Sequence, residues 1–292
     1  TLFFTITAFT MIFFRFGIFS SCKLLIAHSK DQYEERKLIG ASIVAITFVG
    51  LLYSLFILIL SFFVDDIFNT NIDWILRSSS IILAIIPFSI LIPEIGIATN
   101  EIRILSFFNV FPKVVYITVA LLIVQNIDVQ PFQLIILNLL TLLIGLIIAI
   151  YFLRPSFQNS KENIEKVWKK TKEYGSHIYI GQITTQSTYQ LDKIFITYFV
   201  NATQLGFYSL ALLITGPMTI FSQSLSTIFF KNFVKLETIP RKVMKYNFIW
   251  LLLCTLGLLL LGKYIIIFLF GEDFLPVFEL IPPLAVAGIF QG

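Results

Sequence analysis

Asp192 and Lys193 stand side by side within Ile178 to Val200, an apolar stretch long enough to cross a bilayer. At about 100° per residue, Gln182, Gln186, Tyr189 and Lys193 fall on one narrow stripe, with Thr185 and Asp192 beside it. Ile180, Ile183, Leu191, Ile194 and Phe195 gather on the opposite side. An ionised side chain near the bilayer centre costs roughly 2.5 to 3.5 kcal/mol on insertion scales, so a spanning helix with such a face is expected to line a wet passage. The competing reading is a neutralised ion pair that only holds helices together. Two more ionisable residues lie deep in apolar stretches. Arg15 is midway along Leu2 to Ala27, and Lys113 is near the middle of Ile104 to Val124. Lys23, Arg77, Glu94 and Lys263 sit closer to span ends, where snorkelling makes a charge cheap. Arg15, Lys113 and Lys193 against Asp192 alone give the deep set a cationic surplus, which favours an anionic ligand, phosphate foremost.

The elements that must position these residues are helices. Hydrophobic residues make up 57% of the chain and charged residues only 13%, with 32 Phe, a composition far from that of soluble domains. The ten-residue alternation of a membrane β-barrel is absent from the sequence. Apolar stretches give eight whole spans: Leu2 to Ala27, Leu38 to Val64, Trp74 to Ile97, Ile104 to Val124, Phe132 to Phe152, Ile178 to Val200, Phe207 to Phe230 and Asn247 to Phe270. A ninth starts near Leu280. The expected class is therefore an all-α, polytopic membrane protein. Opening on Thr1 inside one span and stopping inside another, the chain is expected to be a piece of a longer protein.

Basic residues alternate between connections. The first, third, fifth and seventh hold 15 of the 21 Lys and Arg, and the even ones hold none. The odd connections are expected to face the cytoplasm, and the net charge of +4 then reflects topology rather than a nucleic-acid partner. The longest polar stretch, Arg154 to His177, is expected to be a cytoplasmic linker or surface helix between an N-terminal bundle, 1–153, and a C-terminal one, 178–292. Its basic residues could touch anionic membrane lipid. A weak internal repeat accompanies this division. Arg36-Lys37, an apolar span and Val64-Asp65-Asp66-Ile67-Phe68 recur as Arg241-Lys242, an apolar span and Gly271-Glu272-Asp273-Phe274, pairing the second span with the eighth and the first with the seventh. Pro87 and Pro93 are expected to interrupt the third span, Pro112 the fourth and Gly216-Pro217 the seventh.

Catalysis finds little support. His28 and His177 lie at span ends without a nucleophile or metal-ligand spacing around them, and a Gly-rich phosphate loop is absent. Cys22 and Cys254 read as small buried residues rather than a disulfide or thiolate site. Neither an enzyme nor a metal or other cofactor is expected.

The run Tyr189-Gln190-Leu191-Asp192-Lys193-Ile194-Phe195-Ile196, followed by Leu205-Gly206-Phe207-Tyr208-Ser209-Leu210-Ala211, resembles the start of the second half of bacterial polysaccharide flippases. These are Wzx-type (O-antigen-type) flippases of the multidrug/oligosaccharidyl-lipid/polysaccharide exporter superfamily. Phe270-Gly271-Glu272-Asp273-Phe274 is similar to their pattern after the ninth helix. The resemblance implies two six-helix bundles, of which this chain would carry helices two to ten of twelve, around a cationic cavity with alternating access. It implies a multi-pass protein of the bacterial inner (plasma) membrane. Its cargo would be a lipid-linked oligosaccharide on undecaprenyl pyrophosphate, moved to the outer leaflet for surface polysaccharides such as the O-antigen of lipopolysaccharide. Partners of the same pathway would be a polysaccharide polymerase and glycosyltransferases. By position, Asp192 and Lys193 match the family's Asp-Lys pair, and Gly206 and Tyr208 its Gly-x-Tyr turn. Arg15, Lys113, Gln182, Gln186, Tyr189 and Lys193 are the expected cargo-binding residues, with Asp192 as ion-pair or coupling residue. Two other readings remain open. A multidrug cation exporter would want carboxylates in excess, and a membrane-embedded polysaccharide polymerase or ligase would be expected to carry a large outer loop with catalytic polar residues.

Overall fold

A computed structural model of the chain describes residues 1–125, 128–233 and 241–291, with the side chains of all of these except 188, 189, 226–233 and 291. The described residues are predominantly helical and contain no strand, in keeping with the composition. Two short helices, α1 (Leu2–Phe13) and α2 (Ile18–Ala27), precede the long α3 (Gln32–Leu60) and the single turn α4 (Val64–Phe68). Then come α5 (Asp73–Ser79), a 3-10 turn over Ile82–Ile85, α6 (Ile86–Thr99), α7 (Ile102–Val124) and α8 (Pro131–Leu153). The surface helix α9 (Ser160–Lys170) passes through a π-helical turn, Thr171–Gly175, into α10 (Ser176–Phe199). Finally α11 (Ala202–Thr215), α12 (Pro217–Phe233) and α13 (Arg241–Phe270) lead through a 3-10 segment, Glu272–Leu280, to α14 (Ile281–Gln291).

Six stretches of described helix are long and apolar enough to cross a membrane, or eight if each of two bent pairs counts as one span. The chain is thus a multi-pass, all-α membrane protein. The helix boundaries follow local chemistry. The Asp31 side chain accepts from Glu34 N at 2.7 Å while the Glu34 carboxylate accepts from Lys30 N at 2.9 Å, closing the start of α3 reciprocally. Gln130 and Gln133 form the same device ahead of Pro131 at α8, and Asn201 caps α11. Asn100 and Arg154, both left-handed, end α6 and α8.

Several expectations are corrected. The first span is not one helix but α1 and α2, bent by 67° at Phe14 to Gly17. The third breaks between Ser80 and Ile85, upstream of Pro87. That proline sits in the first turn of α6, where its missing N–H is no loss. Pro93 and Pro112 lie inside α6 and α7, which continue through them. Gly216-Pro217 does break its span, by 48°. Glu272 to Leu280 is helical rather than an open loop and forms part of the apolar stretch Glu272–Phe290. Helix α10 has the length of a span yet is not among those apolar enough to cross, because its polar stripe lowers its mean hydropathy.

The chain divides into two compact units, Phe3–Asp192 and Lys193–Gly292, with Thr1–Leu2 belonging to the second. In the first unit α3 is the central helix. Its Ile39, Ile46, Tyr53 and Ile57 are buried, with Leu91, Ile92 and Ile95 of α6 adding to the core. The Tyr53 hydroxyl donates to the Thr7 carbonyl at 2.8 Å, which satisfies a buried polar atom and ties α3 to α1. Phe48, Leu51, Leu55 and Ile59 of α3 and Val110, Val114, Ile117 and Leu121 of α7 are exposed, a surface suited to acyl chains. The Arg154 to His177 stretch forms a surface helix, α9, whose Asn163 and Val167 are buried against this unit, where α9 packs on α3. In the second unit Ala211, Ile266, Val277 and Ile281 form one buried cluster and Met218, Leu251 and Ala285 another, joining α11 to α14.

Candidate functional site

The break between α1 and α2 collects the first unit's embedded polar groups. Phe16 and Gly17 both adopt left-handed backbone, with φ of 47° and 69°, and two such residues in succession turn the chain out of the helix axis. Gly17 has a second reason to lack a side chain. A Cβ built there would lie 2.0 Å from the Gly175 carbonyl oxygen, so the break is seated directly on the π-helical turn after α9. The contact is reinforced by the Ser21 hydroxyl, which reaches the carbonyls of Gly17 at 3.1 Å and Lys170 at 3.4 Å. The carbonyl of Phe13, left over at the end of α1, accepts from the Tyr179 hydroxyl at 2.6 Å.

Arg15 sits in this break and not midway along a helix, correcting the expectation for its position. Its side chain is half-buried, and its Nε is fully buried with no hydrogen-bond partner among the described residues. The carboxylate of Glu94 on α6 acts on it electrostatically. Glu94 is in turn 2.9 Å from Lys23 Nζ of α2, the two side chains 27% and 35% exposed. Lys23 and Glu94 had been set aside as cheap interfacial charges, and they are instead paired between α2 and α6. The local sum, Arg15 and Lys23 against Glu94, is one surplus positive charge. The sequence carried a signal for the break in Phe16-Gly17 directly after a buried Arg. It carried none for the pair, whose partners are brought together only by packing.

Helix α10 runs unbroken from Ser176 to Phe199 and presents its first polar residues to this region. Gln182 Nε2 donates to the Ser20 hydroxyl of α2 at 3.1 Å, and the rings of Phe16 and Tyr179 are 5.8 Å apart. Gln186, Asp192 and Lys193 are half-buried, and Asp192 and Lys193 each have an interaction partner. The Tyr189 side chain lies outside the described residues. Arg15 and Gln182 are thus gathered around the one break, whereas Lys113 is placed elsewhere. It is exposed on α7 and lines a cavity of about 200 Å³ with Ser89, Asn109, Asn138 and Thr141. Sequence reading missed those four neutral hydrogen-bonding residues, although Asn109 and Lys113 fall four apart on one helix face.

On α9, away from the spans, Glu162 and Lys166 pair at 2.9 Å. The hydrogen bond from Lys166 holds the Glu162 carboxyl below its ordinary range, and its counterpart raises the Lys166 ammonium. Among the described residues no group of three or more His, Cys, Asp or Glu could hold a metal ion.

Chemically, the break offers an incompletely satisfied guanidinium, a second cation already paired to a carboxylate, and amide and hydroxyl donors on α10 and α2. Such a set can bind an anion with a hydrogen-bonding neighbour. No curated protein and no solved structure matches the chain. The family described as polysaccharide biosynthesis protein matches residues 1–230, which include every residue of this set.

Proposed function

The chain belongs to the polysaccharide biosynthesis protein family, and from that membership we propose that it is a flippase. Its cargo is an oligosaccharide linked to undecaprenyl pyrophosphate, turned from the cytoplasmic to the outer leaflet of a bacterial inner membrane. The observation that carries this reading is Arg15, with a buried Nε lacking a hydrogen-bond partner among the described residues, at the break of a bent helix pair apolar enough to span. A broken span whose irregular backbone holds an embedded cation is a common way for transporters to meet an anionic group within the bilayer. The pyrophosphate is the anion, and the hydroxyl-rich sugars suit the amide and hydroxyl groups of Gln182, Gln186 and Ser20. Lys193 and Lys113 are further cargo-binding cations in this reading, and Asp192 offsets Lys193 when no cargo is bound.

A multidrug cation exporter is the weaker reading. The break has one carboxylate, Glu94, already 2.9 Å from Lys23, so an organic cation would meet net positive charge. A membrane-embedded polymerase or ligase is weaker still, because the family match and the all-helical membrane fold fit a transporter better than an enzyme.

The test is reorientation of a lipid-linked oligosaccharide in proteoliposomes holding the intact protein. Arg15→Ala should slow flipping at least tenfold, since a charge-assisted bond to phosphate is lost, and Arg15→Lys should retain part of the rate. Wild-type flipping by a folded Arg15→Ala protein would refute the assignment.

A further inference from the structure

At the opposite pole in character from the apolar cores lies a cleft at the basic end of the first unit, formed where the first, third and fifth connections meet. Glu35 and Arg36 of α3, Glu101 before α7, and Arg154 after α8 line a cavity of about 240 Å³. Next to it, Arg103, Ile104, Phe107 and Phe152 line a second cavity of about 480 Å³, and Glu101, Ile104 and Phe152 belong to both. The two are therefore one amphiphilic cleft, with Glu35, Arg36, Glu101, Arg103 and Arg154 as its charged groups and Ile104, Phe107 and Phe152 as its apolar side.

The charged end is held in place by backbone. The Arg36 carbonyl accepts from Ser156 N at 2.9 Å, and a Cβ on Gly40 would be 2.2 Å from the Ser156 carbonyl oxygen, so α3 lies directly against the segment after Arg154. The charges of Glu101 and Arg36 both act on Glu35, placing the acids and a base close together. Yet none of Glu35, Arg36, Glu101 and Arg154 has an oppositely charged partner within 4.0 Å among the described residues. With Arg103, two carboxylates and three guanidiniums share the cleft without neutralising one another in contact pairs among the described residues.

We propose that this cleft binds one zwitterionic aminophospholipid of the leaflet on that side. Its phosphodiester lies on Arg36 and Arg154, its primary ammonium on Glu35 and Glu101, and one acyl chain along Ile104, Phe107 and Phe152. Charge complementarity selects this occupant. A purely anionic headgroup would answer the arginines and leave both carboxylates without a cation, whereas a phosphate with an ammonium two carbons away answers both kinds of group. The site uses none of the residues assigned to cargo, so it stands or falls without the flippase reading.

Native mass spectrometry of the purified, intact protein, titrated with phosphatidylethanolamine and phosphatidylglycerol of identical acyl chains, tests it. One phosphatidylethanolamine should bind at least about fivefold more tightly than phosphatidylglycerol, and phosphatidylcholine, lacking N–H donors, should bind more weakly than the ethanolamine lipid. Glu35→Gln with Glu101→Gln should erase the headgroup preference. Arg36→Gln with Arg154→Gln should weaken phosphatidylethanolamine about tenfold, with Lys242→Gln as the unaffected control. Equal binding of the two lipids to the wild-type protein, or tighter binding of phosphatidylglycerol, would overturn the proposal even if a double variant failed to fold. Displacement of the bound phospholipid by an equimolar polyprenyl pyrophosphate would also overturn it, by making the cleft a cargo site.

Discussion

Among the described residues two spans are bent by more than 40°, and they are bent by different chemistry. Between α11 and α12 the turn of 48° occurs at Gly216-Pro217 with Gly216 in ordinary right-handed helical backbone, its N–H still donating to the Leu212 carbonyl at 2.8 Å. Proline there removes a donor and crowds the carbonyl four residues back, and no ionisable residue stands at the turn. Between α1 and α2 the turn of 67° needs two left-handed residues, a glycine contact with Gly175 and a tyrosine hydroxyl on a stranded carbonyl, and it carries an arginine. The first kind of bend is nearly free and is written locally. The second is imposed by neighbours, and a fold keeps such a strained arrangement where it has a use. The two bends also fall on the first and seventh spans, the pair equated by the internal repeat. Within that repeat, only the first copy carries a charge at its bend.

Substitutions at the bends separate these cases. The largest effect is expected at Gly17, where Gly17→Ala meets both a positive φ and the Gly175 carbonyl. It should cost at least about 2 kcal/mol in strain and overpacking, seen as a large drop in the thermal midpoint or in monodisperse yield. Gly216→Ala, with φ of −51° and its closest contact at 3.1 Å, should stay within about 1 kcal/mol of wild type in the same assay. Equal losses at both would mean that the bends are held alike. Next, Glu94→Gln should destabilise by about 1–2 kcal/mol, since it leaves Lys23 and Arg15 without their carboxylate in a partly exposed setting. Lys23→Met combined with Glu94→Leu should recover most of that loss, and a double variant no better than Glu94→Gln would remove the ion-pair explanation. Smallest, Pro217→Ala should change stability by less than about 1 kcal/mol, as the local bend stores little strain, and should leave flipping intact. A loss of transport there comparable to that of Arg15→Ala would make the second bend a working part as well.

Much of the helical layout was legible because burying backbone in lipid demands long apolar runs, and α3, α7, α8 and α13 each overlap the stretch read for them. The same signal hid the break at Phe14 to Gly17, since an apolar run has the same average hydropathy whether or not it bends. The embedded charges were found one by one, but their grouping was not. Lys23 meets Glu94 only through the packing of α2 on α6, and Lys113 shares a cavity with Asn138 only through the packing of α7 on α8. The Arg154 to His177 stretch was legible as a surface helix from its charges, whereas its docking onto α3 through Asn163 and Val167 depends on a surface no local pattern describes.

The π-helical turn at Thr171–Gly175 sets an angular phase. Such a turn holds one residue more than an α-helical path of the same rise, so it rotates everything after it by roughly 100° relative to α9. Deleting a single residue there would leave a continuous helix of nearly unchanged length while swinging Gln182 off Ser20 and Tyr179 off Phe13. The compass bearing of the entire hydrophilic stripe on α10 is thus fixed by one inserted amino acid, far cheaper for a lineage to gain or lose than a new set of side chains.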